Sequence, residues 1–256
     1  AVIRNIWLFT LILNYAQFTI SKSFIKEHLS LAGPLIFSTL ISGSAQYIDG
    51  LVVSTHYTAE GFAIFRYGAK ELPFVLMLAT GLSHSMLTEF DTKEKVIQTL
   101  GVLKKKSLRI MHMMYPLSIL MLLFAKPIYK NIFTPEFTRS ADVFVVYLLA
   151  ITSRLVFPHT ILIGLKKTHT LFYISIAEFV LNIFLSLWLV EPYGVVGVAL
   201  ATVVTYFLSK SYLVYYNYKR FNITPDQYIP MRWYLVYNII FIIIFVILDH
   251  GLIRIG

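Results

Sequence analysis

Five ionisable residues, together with their neighbours, stand inside long apolar stretches of this chain, where a charge is costly and marks a functional site by default. Arg66 and Lys70 are one helical turn apart on a shared face, with Glu71 beside them and Pro73 following. Two cations so placed could receive an anion; the ordinary alternative is that they snorkel to headgroups at an interface. Arg154 lies near the middle of its stretch, four residues before Pro158, too far from either end to snorkel easily. Asp49 and Glu178 each belong to a polar stripe. Pro34, Ser38, Ser42, Gln46 and Asp49 recur at spacings of four, four, four and three, and Ser175, Glu178, Asn182 and Ser186 at three, four and four, the periodicity of one helix face. Those faces should line protein or water rather than lipid. Glu178 could pair with Arg154 and neutralise both, and structural pairing and proton or ion coupling both remain open for it.

Other chemistry has little support. The sequence has no HExxH, no Walker A loop, no GxSxG and no dinucleotide glycine fingerprint, so neither a catalytic residue nor a metal site is expected. The histidines at 28, 56, 84, 112, 159, 169 and 250 are scattered without ligand spacing. The lack of cysteine excludes disulfides, thiolate metal sites and cysteine nucleophiles. Asn222-Ile223-Thr224 matches a glycosylation acceptor, but it lies in a basic loop next to Pro225 and reads as accidental.

The elements that must position these residues are membrane helices. Of 256 residues, 57% are hydrophobic and only 14% charged, with a mean hydropathy of +0.72, whereas about a quarter of a soluble domain is charged. Apolar stretches of about 20 residues are long enough to cross the roughly 30 Å hydrocarbon core, and runs such as Tyr237 to Leu248 lack the alternation of a barrel strand. The pattern predicts an all-α bundle of about eight transmembrane spans: 1–20, 28–55, 61–89, 109–133, 140–165, 168–191, 194–218 and 233–253. Basic residues sit in alternate connections. Lys22, Lys26, Lys93, Lys95, Lys104 to Lys106, Arg109, Lys166, Lys167, Lys210, Lys219, Arg220 and Arg232 fall on one side, against Arg4, Lys126, Lys130, Arg139 and Arg254 on the other. By the positive-inside rule this places Ser21 to Glu27 inside and both chain ends outside. The net charge of +9 is thus topological and implies no nucleic acid. Val96, Leu100 and Leu103 share one face of the linker Thr92 to Arg109, which suits either a helix on the anionic inner leaflet or a solvated basic loop. Small residues from Gly194 to Thr202 suit close helix packing, and prolines 34, 73, 116 and 158 fall within spans.

Leu31-Ala32-Gly33-Pro34-Leu35-Ile36, Tyr47-Ile48-Asp49-Gly50, the run Phe62 to Pro73 and the run Gly194 to Thr202 together resemble the oligosaccharide (O-antigen and polysaccharide) flippases of the MATE-like MOP transporter superfamily. The resemblance implies a domain organisation: residues 1–27 as the last helix of a missing N-terminal lobe plus a cytoplasmic linker, 28–218 as a six-helix C-terminal lobe, and 219–256 as a cytoplasmic loop and an extra transmembrane helix. It further implies alternating access in a bacterial inner membrane, with a lipid-linked anionic oligosaccharide as substrate and the missing lobe and membrane lipids as partners. Arg66, Lys70, Arg154 and Gln46 are the residues expected to meet that substrate. Asp49 and Glu178 are expected to bind a coupling H⁺ or Na⁺ or to hold the arginines in place, with no other cofactor. The competing readings are a cation-coupled multidrug exporter on the same scaffold and, from a different class, a membrane glycan polymerase or acyltransferase.

Overall fold

The computed structural model describes residues 2–15, 21–90, 96–132 and 135–249, and among them there is no β-strand. The helices are α1 (Val2–Tyr15), α2 (Lys22–His56), α3 (Ala59–Gly68), α4 (Pro73–Leu87), α5 (Val96–Ile132), α6 (Ser140–Leu148), α7 (Ile151–Arg154), α8 (Pro158–Gly164), α9 (Thr168–Phe221), α10 (Pro225–Tyr228) and α11 (Met231–Asp249). Among the described residues four of them, α2, α5, α9 and α11, are long and apolar enough to cross a membrane, and the segment from Glu136 to Gly164, bent by 46°, raises the number to five when its two parts are taken as one broken span. Trp7, Phe37, Phe184 and Trp188 are exposed while Asp49, Asn182, Ser186 and Asn217 are buried. Apolar outside and polar at helix contacts is the arrangement a lipid solvent favours.

α9 folds back on itself. A straight helix of 54 residues would reach about 80 Å, yet Asn182 Nδ2 donates to Thr202 Oγ1 at 3.1 Å and the hydroxyls of Thr170 and Tyr216 lie 3.3 Å apart. The reversal is at Gly194, whose φ of +64° and ψ of −146° fall in a region essentially reserved for glycine. The two arms, 168–193 and 195–221, correspond to the expected sixth and seventh spans. The first arm runs parallel to α2 in a fixed register, since the pairs Ser38–Ser175 and Asp49–Ser186 share the same separation of 137 residues. The polar stripes of these two helices therefore face one another, and the common direction is the one that alternating spans require.

The expected third and fifth spans are broken. The chain leaves α3 after Gly68 and resumes at Pro73; it leaves α7 at Arg154 and resumes at Pro158. Both prolines stand in the first turn of the helix they open, where the missing N–H costs nothing and an α-helical approach from the preceding residue is disfavoured. Pro34 and Pro116, by contrast, remain inside α2 and α5. Around the second break, the carbonyls of Thr152, Leu155 and Pro158 accept hydrogen bonds from Tyr234 Oη (2.9 Å), Ser107 Oγ (3.1 Å) and Asn217 Nδ2 (2.9 Å). These donors come from α11, α5 and α9, so three neighbours satisfy backbone that the break exposes.

The expected leaflet-bound or solvated linker is corrected for its described part. α5 begins at Val96, and Leu100 and Leu103 are fully buried in a core shared with Tyr228 and Ile229 of the α10 region. Its apolar face is covered by protein rather than lipid, because α10 packs onto it; Thr92 to Lys95 lie outside the described residues. Asn222 ends α9 in the left-handed conformation, φ +54°, a position that asparagine tolerates better than most side chains.

Candidate functional site

The two breaks meet beside a cavity. It has a volume of about 540 Å³ and lies between α2, α4, the α7–α8 break and both arms of α9. Arg154, the last residue of α7, lines it and reaches Glu71, which lies in the non-helical link between α3 and α4. The contact is bidentate, with Nε to Oε2 at 2.7 Å and Nη2 to Oε1 at 2.5 Å. The guanidinium carbon stands 4.0 Å from the centre of the Tyr206 ring, so hydrogen bonds fix one edge of the group and an aromatic face covers it.

A second cation faces the same space. Lys210 Nζ lies 2.7 Å from His159 Nδ1; when Lys210 is an ammonium, which has only donors, this ring nitrogen accepts and the imidazole is neutral. Glu178 lines the same cavity as Ser209, and the charges of both Lys210 and Arg154 act on it. Ser38 and Ser175, 2.5 Å apart, and Ser83, bonded at 2.7 Å to the buried Thr160 behind it, add hydroxyls to the walls. With neutral histidines, Arg154 and Lys210 are balanced by Glu71 and Glu178.

Seven residues, or about 10 Å, further along α2 than Ser42, Asp49 is fully buried. Thr202 Oγ1 donates to Oδ2 at 2.5 Å, Ser186 Oγ to Oδ1 at 3.3 Å and Tyr147 Oη to Oδ2 at 3.4 Å. Asn182 turns its amide N–H to Thr202, and its buried Oδ1 has no hydrogen-bond partner among the described residues. The partners of Asp49 are therefore three hydroxyls with the Asn182 amide beside them, and among the described residues no lysine or arginine neutralises it. A buried ionised carboxylate costs several kcal/mol without a compensating charge. The knot suits a carboxylate that takes up a proton or a small cation, and its donors are all oxygens, the preference of hard cations.

Sequence spacing and structure agree on some of these residues and part on others. Arg154 and Glu178 both line the cavity, but they are not each other's hydrogen-bonded partners; Arg154 is held by Glu71, because the α3–α4 break brings that carboxylate to the end of α7. Arg66 and Lys70 are exposed and do not line the cavity; α3 ends at Gly68, so Arg66 is on the helix, Lys70 is in the non-helical link, and the two do not share a helix face. Asp49 holds no arginine in place. The helix around Gln46 is described, but its side chain lies outside the described residues. Lys210, counted as a loop cation from the sequence, is instead part of the cavity wall, and His159 and Tyr206 join the site without any sequence signal marking them.

Fold and cavity define a multi-pass bundle of membrane helices with a polar, charge-lined cavity between them. A family profile, lipid II flippase MurJ, matches residues 7–253, and the chain belongs to that family. Its members are transporters rather than enzymes. Among solved structures the chain is similar to a lipid II flippase MurJ in an inward closed conformation, with 19% identity and a TM-score of 0.60 over 96% of this chain and 60% of that one. It is also similar to a MOP superfamily transporter from Pyrococcus furiosus (16% identity, TM-score 0.58, 80% and 46% covered) and to an outward-facing multidrug resistance MATE family transporter (16%, 0.54, 83% and 50%). The chain spans about half the length of these transporters. No curated protein matches it. The resemblance read from sequence is thus right for the MOP superfamily, while the O-antigen branch of it is not the family found.

Proposed function

We propose that this chain is a lobe of an alternating-access flippase that moves a polyprenyl-diphosphate-linked glycan across a bacterial inner membrane, working with an N-terminal lobe. Lipid II, the substrate named for the family, and an O-antigen or capsule repeat are both candidates, and family membership favours the first. The observation that carries the reading is the cavity between two broken helices with Arg154 and Lys210 in its wall. Discontinuous helices around a site near the midplane are a recurring transporter design, and cations there offset the charge that a diphosphate would otherwise carry into hydrocarbon. By the positive-inside assignment, the cavity occupies the cytoplasmic half of the lobe. Asp49 is the residue we assign to the coupling H⁺ or Na⁺. The Asn182 oxygen, which has no partner among the described residues, and the surrounding hydroxyls support that role. Arg66 and Lys70, being exposed, are assigned to lipid headgroups or to the facing lobe.

In the complete transporter, Arg154→Ala should abolish transport of the lipid-linked glycan in reconstituted vesicles while membrane insertion is retained. Transport at the wild-type rate would remove Arg154 from the site. The exporter reading draws on the carboxylates Glu71 and Glu178 and on Tyr206, which would suit an organic cation. Transport of such a cation, with no activity on a lipid-linked diphosphate, would establish it.

A further inference from the structure

The two cations of the cavity are held in different ways, and the difference decides which of them a ligand can take. Arg154 is bound at two points by a carboxylate, and the side chains of the pair are only 23% and 13% exposed. Drawing Arg154 away would leave Glu71 half-buried and unpaired, which is strongly unfavourable. Lys210 has as its hydrogen-bond acceptor a neutral imidazole, His159 Nδ1 at 2.7 Å. Breaking that bond strands no charge on the histidine.

We infer that Lys210 is the cation that moves onto the ligand's diphosphate, with His159 as the resting partner that positions it while the cavity is empty of substrate. This rests on the proposed function and names the group that makes the contact. The charged and titratable groups around Lys210 are Arg154 from α7, Glu71 from the α3–α4 link, His84 from α4, His159 from α8 and Glu178 and Tyr206 from α9. α2 contributes only the hydroxyls of Ser38, Thr39 and Ser42. Glu178 offsets the ammonium at rest, and a lysine, with a flexible stem and three rotatable donors, can turn from the imidazole to a phosphate without changing its helix. Arg154 keeps its carboxylate throughout and serves as a fixed part of the wall.

The test measures calorimetric binding of geranylgeranyl diphosphate and of geranylgeraniol to the complete transporter in detergent. The wild type should prefer the diphosphate. Lys210→Met combined with Glu178→Gln, which removes both charges and keeps the wall packed, should weaken diphosphate binding about tenfold or more and leave the alcohol unchanged. Arg154→Gln with Glu71→Gln should weaken diphosphate binding less than the Lys210 pair variant does. His159→Leu removes only the competing acceptor, so the diphosphate should bind roughly two- to tenfold more tightly, a gain that a merely structural histidine cannot produce. Wild-type affinity in the Lys210 pair variant, with loss in the Arg154 pair variant, would overturn the inference and leave the flippase reading standing. If the wild type fails to distinguish diphosphate from alcohol, the flippase reading itself falls. Unchanged or weaker binding by His159→Leu would remove His159 from its positioning role.

Discussion

The cavity and the Asp49 knot lie one beyond the other along the same two helices, α2 and the first arm of α9, and they handle charge in opposite ways. Around the cavity each cation has a carboxylate near it and the balance is close to neutral, with space left for a ligand. In the knot a single carboxylate is closed over by hydroxyls, with no cation at hand among the described residues. A neutral, roomy site can exchange one partner for another. A sealed and unbalanced one is completed by something as small as a proton or a metal ion, so the two regions suit a large anionic cargo and a small driving ion.

The largest expected effect falls on the cavity side. Glu71→Gln leaves Arg154 without its counter-charge and should lower stability by about 3 kcal/mol, read from thermal unfolding in detergent; adding Arg154→Gln should recover part of the loss. Equal loss in the single and double variants would show that the pair is not what holds the two breaks together. On the knot side, sodium should raise the melting temperature relative to choline, by the equivalent of up to about 2.7 kcal/mol at a hundredfold excess over its dissociation constant. Asp49→Asn should abolish the difference. A wild type indifferent to sodium but stabilised by acid would assign the knot to a proton. Gly194→Ala should cost about 1–3 kcal/mol through its positive φ, and a Cβ there would also stand 3.1 Å from Tyr57 Oη. Because that turn brings Thr202 to Asp49, the variant should blunt the sodium response more than diphosphate binding. Smallest of all, Tyr147→Phe removes one long hydrogen bond and should change stability by about 0.5–1 kcal/mol, with ion selectivity unchanged.

Periodicity made the two stripes on α2 and α9 legible, because polar residues at helical spacing in apolar helices have few uses other than facing each other or water. Arg154 was legible for the same reason, as a charge with nowhere to snorkel. The partner of that arginine was not. Glu71 reads as an adjunct of Arg66 and Lys70 until the α3–α4 break sends it the other way, and no local pattern reveals that two proline-opened helices will start beside one another. Lys210 illustrates the converse error. Seven residues from Asn217 and close to Lys219 and Arg220, it looks like one more basic residue at a membrane boundary, and only the packing of α8 against α9 places His159 within reach of it. The break at Pro73 and the break at Pro158 were foreseeable as kinks, but their bracing by Ser107, Asn217 and Tyr234 is a property of the assembled bundle.

The continuity of α5 has a practical use. Its 37 residues reach about 55 Å, well beyond the roughly 30 Å of hydrocarbon, so the helix overhangs the bilayer at the end that carries Lys104 to Lys106. Since these 256 residues contain no cysteine, a thiol introduced as Lys105→Cys would be the one thiol among them and an exposed handle on that overhang. A membrane-impermeant maleimide applied from one face of sealed vesicles would then report which way the protein is threaded.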